Sequence, residues 1–262
     1  MSSQIVTYAC GTPIRQKLMF SIAKGFESNL FNPFSAPDYL GGTAIVWGLI
    51  RGAKELMEKA ASAEETFYQI DNGYFGRNHY FRISKNAVQK TQIRITSKAR
   101  SARVLASCGI TLPKGHTENK GSKILIALSS EYLFAFHGQT SRQWLTSTVE
   151  SITQFSDREI EIRSKNSSKP LAQDLDEAWC VVTHSSAVAL DALQRNIPVI
   201  CTSECAASPL SMRFADIESP KINGSVEELL LSLAGSQFTP EEYANSMARE
   251  SVLMLQTKAE PQ

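Results

Sequence analysis

The 262-residue sequence predicts an α/β protein made of two doubly wound lobes with parallel sheets. Three observations support this prediction. Short apolar stretches alternate along the chain with amphipathic stretches of helical length. A polar segment containing Pro and Gly, residues 110–122, interrupts the alternation near the middle of the chain. An aliphatic stretch, KILIALSS, starts the alternation again directly after it.

The first lobe is assigned to residues 1–117, where strands and helices alternate around one long loop. That loop, residues 27–42, is rich in Pro, Asn and Gly. Proline near the start of the first helix suits a helix N-terminus. The expected strands cover residues 4–10, 44–50, 66–71 and 79–84, and the expected helices cover residues 13–26, 52–65 and 97–108.

The second lobe is assigned to residues 118–262 and repeats the same alternation. Because strands separated by helices are joined by crossovers, its sheet is expected to be parallel and Rossmann-like. The tail from residue 225 onward is expected to form two more helices. The other expected strands cover residues 123–130, 159–165, 179–184 and 198–203, and the other helices cover residues 141–156, 171–178 and 186–196.

Composition indicates a reducing, aqueous compartment. No apolar run reaches 18 residues, so we expect no transmembrane span. The N-terminus lacks a charged segment followed by a long apolar one, so we expect no signal peptide. Five cysteines without a CxxC pair indicate free thiols and a cytoplasmic protein. A catalytic cysteine is the alternative reading of these thiols.

The net charge of +1 conceals an asymmetry between the two lobes. Residues 1–117 contain 15 Lys/Arg against 7 Asp/Glu, whereas residues 118–262 contain 12 against 19. No acidic residue lies between Asp71 and Glu118. Clustered cations of this kind form either a solvated surface or a face for a polyanion such as nucleic acid. The cations of this interval are Arg77, Arg82, Lys85, Lys90, Arg94, Lys98, Arg100, Arg103 and Lys114.

Ligands of open parallel sheets bind beyond the carboxyl ends of the strands, and these ends carry suitable groups in the second lobe. In EIEIRSK, Arg163 and Lys165 stand two residues apart on one face and suit a phosphate; an ordinary pair of edge-strand charges is the alternative. After CVVT, Ser185 and Ser186 are expected at the cap and first turn of a helix, where an anion could bind. Simple N-capping is the alternative for one of these serines.

Three more residues of the second lobe are candidates for donor binding. His184 precedes the serine pair and could hydrogen-bond a phosphate or stack within the loop. Glu204 follows the strand PVICTS, where a carboxylate could accept hydrogen bonds from a ribose diol. Gly138 lies in the loop FHGQ, which is expected near the same crevice.

Several stretches of the second lobe together resemble the donor-binding lobe of GT-B glycosyltransferases. These stretches are KILIALSS, Trp144-Leu145, EIRSK, THSSAVALDAL and NIPVIC, within residues 120–215. They are most similar to bacterial capsule-type transferases and to phage-encoded relatives that modify DNA bases. The resemblance implies that the Arg/Lys strand end and the Ser-Ser helix start hold the diphosphate of a nucleotide sugar, expected to be UDP-linked. Asn196 replaces the Gly usual in such sequences, and Asn also tolerates a left-handed C-cap.

No metal or other cofactor is expected, because two cations with a helix dipole could stabilise a leaving diphosphate. In the first lobe, Asp71 ends a strand in YQIDNGYFGR and is the candidate general base. An Asp-Asn-Gly turn is the alternative. The segment is similar to tailed-phage proteins of this group, which implies a host cytoplasm. The candidate acceptor-binding residues are Gly42, Tyr74, Arg77, Arg82, Lys98 and Arg100.

The sequence therefore predicts a metal-independent glycosyltransferase with a nucleotide-sugar donor and a hydroxyl acceptor. The acid-free basic stretch favours double-stranded DNA with a hydroxymethylated pyrimidine as the acceptor, for which local distortion or base flipping would be expected. One alternative is a cell-surface, capsule-type polysaccharide transferase. Another is a non-catalytic nucleic-acid-binding protein with a decayed nucleotide site. No oligomeric state follows from the sequence.

Overall fold

The structure is a computed structural model that describes residues 4–9, 13–31, 38–89, 97–113 and 121–253. The chain divides into two compact units. Unit 1 comprises residues 1–110 and 231–262, and unit 2 comprises residues 111–230. Cys10, Lys90, Arg94, Lys114 and most of the expected linker lie outside the described residues.

The described residues form ten strands and ten α-helices, in the alternating order that the sequence predicts. The strands are β1 (Ile5–Tyr8), β2 (Asn29–Phe31), β3 (Thr43–Trp47), β4 (Phe67–Asn72), β5 (Phe81–Lys85), β6 (Lys123–Ala127), β7 (Ile160–Arg163), β8 (Ala178–Thr183), β9 (Val199–Cys201) and β10 (Gln237–Phe238). The helices are α1 (Pro13–Phe26), α2 (Ala53–Ser62), α3 (Lys98–Ser107), α4 (Glu131–Phe136), α5 (Ser141–Thr153), α6 (Leu171–Glu177), α7 (Val188–Gln194), α8 (Val226–Gly235), α9 (Pro240–Ala244) and α10 (Met247–Leu253).

Unit 1 contains a six-stranded sheet of order β10-β5-β4-β3-β1-β2. Strands β1 to β4 run parallel, and β5 is antiparallel to both β4 and β10. Strands β3 and β4 are buried over most of their length, which explains their continuous apolar runs. Helix α1 packs Leu18, Met19 and Ile22 against this sheet in one core with Ile45 and Ile70.

Unit 2 contains a four-stranded, fully parallel sheet of order β7-β6-β8-β9. The central strands β6 and β8 consist almost entirely of buried aliphatic residues, as expected when helices cover both faces of a sheet. The core on this sheet includes Ile126, Val182 and Trp144. The predicted α/β fold with parallel sheets is thus confirmed, and unit 1 adds an antiparallel border to it.

The C-terminal segment differs from the predicted assignment of residues 118–262 to one lobe. From Leu231 onward the chain belongs to unit 1. Strand β10 pairs with β5, and Tyr243 is fully buried with its hydroxyl donating to the carbonyl of Phe81 at 3.1 Å. Burial of Phe238 and Tyr243 in the unit 1 core fixes the segment there. Periodicity along the sequence could not reveal this pairing because it spans more than 150 residues.

Four short elements were not predicted. The expected loop 27–42 contains β2, whose three residues pair with β1. Helix α4 follows β6 after a short turn, and β10 has only two residues. The tail contains three helices, α8 to α10, where two were expected. Such short segments carry too little periodicity to be recognised from sequence.

Candidate functional site

Small polar side chains meet where the parallel strands of unit 2 end. Ser129 follows β6, and Ser185 follows β8. The Ser185 N–H donates to Ser129 Oγ at 3.1 Å, and the two hydroxyl oxygens lie 3.4 Å apart. Thr183 Oγ1 donates to the carbonyl of Ala127 at 2.6 Å and accepts the N–H of Ser186 at 3.1 Å. The loops after β6 and β8 are therefore held together by hydrogen bonds.

His184 is buried in this site, with 2% of its surface exposed. Its Nδ1 lies 2.9 Å from Ser185 Oγ, and its ring centroid lies 5.0 Å from those of Phe134 and His137 and 6.1 Å from that of Trp144. Burial, with the nearby charge of His137 second, lowers the pKa of His184 to about 4. The imidazole is therefore neutral at pH 7, so it can orient the Ser185 hydroxyl but cannot supply a positive charge.

The predicted capping role of the serine pair was wrong. Helix α7 begins at Val188 with Ala187 as its N-cap, two residues later than the cap expected at Ser185. Ser186 Oγ accepts the Val188 N–H at 3.4 Å, a weak contact. The loop extends further because Thr183 Oγ1 takes the Ser186 N–H and closes a turn before the helix starts. Loop groups, rather than the helix end itself, therefore line this part of the site.

The loops that carry Gly138 and Glu204 also reach this site. Contact between His137 and His184 brings the first loop beside Ser185. Gly138 has φ +71°, and an added Cβ would meet nothing within 4 Å, so its backbone conformation, not space, favours glycine.

The second loop is tied down by the N–H of Ser203, which donates to the carbonyl of His184 at 3.1 Å. Thr202 accepts from Trp144 Nε1 at 2.7 Å, and the Glu204 side chain is exposed. We call Ser129, Gly138, His184–Ser186 and Thr202–Glu204 the unit 2 loop cluster.

Arg163 ends β7 as predicted, but its charge is already compensated. Its Nη1 pairs with the buried carboxylate of Asp174 and donates to the carbonyl of Lys169 at 2.8 Å. Lys169 Nζ lies 2.9 Å from Asp174 as well. Burial alone would raise the pKa of Asp174, but the two cations outweigh burial and lower it. Lys165 is exposed beyond the strand end, and phosphate binding by Arg163 and Lys165 stays a prediction.

In unit 1, the predicted general base Asp71 lies at the carboxyl end of β4. It stands opposite Arg82 across the β4–β5 pair, and its Oδ2 accepts from Arg82 Nη2 at 3.4 Å. Its Oδ1 accepts the Asn72 N–H at 2.7 Å, as an Asp turn would. The Asp71 side chain is 28% exposed, so it is accessible to a substrate. Both the catalytic role and the turn role fit this geometry.

Arg15 was not among the sequence-predicted site residues. It extends from the first turns of α1, and its Nη2 donates to the side-chain oxygens of Asn72 and Asn78, both at 3.2 Å. Its guanidinium carbon lies 4.3 Å from the ring centroid of Trp47 and 5.5 Å from that of Phe81. Its place in the first helix after β1 was the available signal, because such turns face the carboxyl ends of parallel strands.

Two predicted acceptor-binding arginines are engaged within unit 1. Arg82 is buried and also donates to Gln69 at 3.3 Å. Arg100 contacts both carboxylate oxygens of Glu242 at 2.8 Å and donates to the carbonyl of Gln237 at 2.9 Å. These donors are used inside the protein, and acceptor binding by Arg82 and Arg100 stays a prediction.

The remaining acceptor candidates lie in different settings. Gly42 precedes β3, away from its carboxyl end, and an added Cβ would lie 2.2 Å from the carbonyl oxygen of Gln4. This close backbone approach explains the glycine, and acceptor binding at Gly42 stays a prediction. Tyr74 lies with its ring centroid 5.4 Å from the guanidinium carbon of Arg82. Arg77 and Lys98 are exposed.

Among the described residues, no group of three or more His, Cys, Asp or Glu side chains could hold a metal ion. No helix in the described part of the chain is long and apolar enough to cross a membrane.

Two α/β units with parallel sheets define the class of fold as GT-B-like. KpsC β-Kdo 2,7 transferase of Thermosulfurimonas dismutans matches with a TM-score of 0.53 and 14% identity, covering 94% of this chain and 99% of that chain.

The β-Kdo 2,4 transferase of the same KpsC matches with a TM-score of 0.46 and 11% identity, over 90% of both chains. A UDP-GlcNAc 2-epimerase of Methanocaldococcus jannaschii, in complex with UDP-GlcNAc and UDP, matches with a TM-score of 0.28 and 10% identity, over 99% of this chain and 100% of that one. No family model matches the sequence, and no curated protein matches it.

Proposed function

We propose that the protein is a glycosyltransferase that binds a nucleotide-activated sugar at the unit 2 loop cluster. The observation that carries this proposal is the hydrogen-bonded arrangement of Ser129, His184 and Ser185 beyond the ends of adjacent parallel strands. Such strand ends are where open α/β sheets bind nucleotides. The fold shared with a β-Kdo 2,7 transferase, a sugar-transferring protein, supports this class of reaction over a non-catalytic role.

Unit 2 would hold the diphosphate of the donor mainly through neutral hydrogen-bond donors. The hydroxyls of Ser129 and Ser185 can donate to phosphate oxygens, and the exposed Lys165 can add a charge. Glu204 would accept from the ribose hydroxyls. A UDP-linked sugar is the first donor to test, and catalysis would proceed without a metal.

In unit 1, Asp71 would act as the general base. It would take the proton of the acceptor hydroxyl while the acceptor oxygen bonds to the anomeric carbon of the sugar and the bond to the nucleotide breaks. The electron pair of that bond leaves with the nucleotide, whose charge the donors in unit 2 stabilise. Arg82 would hold the Asp71 carboxylate in position.

We propose a saccharide acceptor, as in a capsule-type polysaccharide transferase, rather than DNA. The DNA hypothesis depended on the cations between Asp71 and Glu118. Arg82 and Arg100 are used in internal ion pairs, which removes two of the charges that would face a polyanion. The neighbour named as a Kdo transferase also favours a sugar as the partner in the reaction.

The donor site can be tested by thermal unfolding with UDP, GDP, CMP and sugar conjugates of each. A ligand that binds the folded state stabilises it by RT ln(1 + [L]/Kd), so at least one nucleotide should raise the Tm. Ser129→Ala should reduce that rise, and Ser151→Ala on α5 should not. Failure of every nucleotide and conjugate to change the Tm would contradict the proposal and favour a binding protein.

The acceptor can be tested by gel shift with duplex DNA at several salt concentrations. A saccharide acceptor predicts weak DNA binding with little salt dependence. Binding through about six phosphates would instead give a slope of log K against log salt near about −5, because each neutralised phosphate contributes about −0.9. A slope of that size would restore DNA as the acceptor.

A further inference from the structure

We propose that Arg15 binds an anionic group of the acceptor, a carboxylate or a phosphate, at the carboxyl end of the unit 1 sheet. The inference rests on the proposed function and names the chemical class of its acceptor. The Arg15 guanidinium uses only part of its hydrogen-bonding capacity. Nη2 donates to two side-chain amide oxygens, whereas Nη1 is buried and has no hydrogen-bond partner among the described residues.

Arg15 also has no ion pair of its own. Within the described residues, no carboxylate lies within 4 Å of it, and the carboxylate of Asp71 pairs with Arg82. Burial lowers the pKa of Arg15, the more distant charge of Asp71 raises it, and the charge of Arg77 lowers it further. A partly buried cation without a partner is costly, and an anionic ligand would relieve both the charge and the unused donor.

The Arg15 side chain is held in place for such a ligand. Trp47 packs against the guanidinium face, and the oxygens of Asn72 and Asn78 fix Nη2. A planar guanidinium held in this way loses little further freedom when its unused Nη1 donates to an oxyanion.

Arg15 is connected to the predicted general base. Asn72 accepts from Arg15 through its side chain and donates its backbone N–H to Asp71. An anion on Arg15 would therefore lie at the end of the strand that carries the proposed base. This position suits the charged group of an acceptor whose hydroxyl reacts at Asp71. We call Arg15, Trp47, Asp71, Asn72 and Arg82 the unit 1 arginine cluster.

A structural role is the competing account of Arg15. The same contacts could simply attach α1 to the ends of β3 and β4 and to the loop after β4. That account predicts that an Arg15 variant loses stability and that no sugar distinguishes it from the wild-type protein. The two accounts are separated by a binding measurement in which only the charge of the ligand changes.

The experiment uses the full chain and isothermal titration with methyl glucuronoside, its neutral methyl ester, and glucose 6-phosphate. The wild-type protein should bind at least one anionic sugar and bind the ester more weakly. Preference for the glucuronoside would identify a carboxylate ligand, and preference for glucose 6-phosphate a phosphate. Arg15→Gln should weaken binding of the preferred anion about tenfold or more and leave the ester unchanged. Arg15→Lys should fall between them, and Arg103→Gln, an exposed arginine on α3, should match the wild type.

Several outcomes would overturn the assignment. These are equal binding of the acid and its ester, no binding of either anionic sugar, or unchanged anion affinity in Arg15→Gln. Circular dichroism of each variant ensures that a folded protein is compared. The nucleotide titrations report on unit 2 independently. Nucleotide binding without binding of an anionic sugar would reject the Arg15 site and leave the proposed function standing. Binding of an anionic sugar without binding of any nucleotide would reject the proposed function and leave the Arg15 site standing.

Discussion

The unit 1 arginine cluster and the unit 2 loop cluster occupy equivalent positions, at the carboxyl ends of parallel strands, but differ in chemistry. The unit 2 cluster consists largely of hydroxyl groups around a buried, neutral histidine, and the nearby Arg163 is compensated by Asp174. In unit 1, Arg82 pairs with the carboxylate of Asp71, and Arg15 has no carboxylate within 4 Å among the described residues.

This difference indicates how the two units could divide a transfer reaction. A site made of neutral donors can bind a diphosphate and release it, because no buried counter-charge must be left unpaired. A site with a carboxylate and an arginine that has no ion pair can both accept a proton and select an anionic substrate. The net charge of a lobe, counted from the sequence, therefore does not show which strand ends carry a charged side chain that is free to bind a ligand.

The largest effect is expected from Asp71→Asn in unit 1. If Asp71 is the general base, kcat for sugar transfer should fall about 10²- to 10⁴-fold while nucleotide affinity is unchanged. The measurement is turnover with the donor that the nucleotide titrations select. Glu58→Gln, an exposed carboxylate of α2, is the matched control and should retain activity. A loss below about fivefold would assign Asp71 to the turn alone.

The next effect concerns the stability of unit 2 at acid pH. The pKa of folded His184 is about 4, below its ordinary value of 6.5, so the unfolded chain takes up a proton first as the pH falls. The contribution of neutral His184 is complete above about pH 6.5 and is lost between there and about pH 4, by up to about 3 kcal/mol.

This prediction is checked by denaturant unfolding of wild type and His184→Gln across that pH range. The difference in free energy of unfolding between the two proteins should shrink as the pH falls. A difference that stays constant with pH would mean that His184 titrates alike in the folded and unfolded chains.

The fold was predictable from sequence where elements are long and apolar. The aliphatic runs in KILIALSS and WCVVTH predict buried strands, and the structure has β6 and β8 there. The short β10 and the return of the C-terminal segment to unit 1 depend on Phe238 and Tyr243 finding a distant core. Such pairings are set by three-dimensional packing, which has no local signal in the sequence.

The site was predictable in position but not in charge balance. The strand ends at Asp71, Arg163 and His184 were located correctly from the pattern of strand and loop. Whether a cation is free to bind a ligand depends on carboxylates elsewhere in the chain, such as Asp174 for Arg163 and Glu242 for Arg100. Arg100 and Glu242 are 142 residues apart in the sequence. Arg15 was missed because a single arginine in a helix looks like a solvated residue.

A smaller effect is expected when the internal ion pair of Arg100 is broken. Arg100→Ala leaves the partly buried Glu242 without its partner, and we expect the free energy of unfolding to fall by about 2 kcal/mol. Arg103→Ala, an exposed arginine on the same helix, should change it by less than about 0.5 kcal/mol. Hydrogen exchange should quicken in β5 and β10. Equal effects of the two substitutions would mean that Arg100 also faces solvent.

The smallest effect tests whether the unit 2 loop cluster acts through neutral donors. Ser129→Ala removes one hydroxyl that contacts Ser185, and nucleotide affinity should fall by up to about tenfold, the value of one hydrogen bond. Ser151→Ala removes a hydroxyl that donates within α5, and affinity should be unchanged. Lys165→Gln in the same assay tests the opposite view, because a charge-driven site would lose more from this substitution and respond strongly to salt. A larger loss from Lys165→Gln than from Ser129→Ala would make the two units alike in using cations, and the contrast between them would no longer hold.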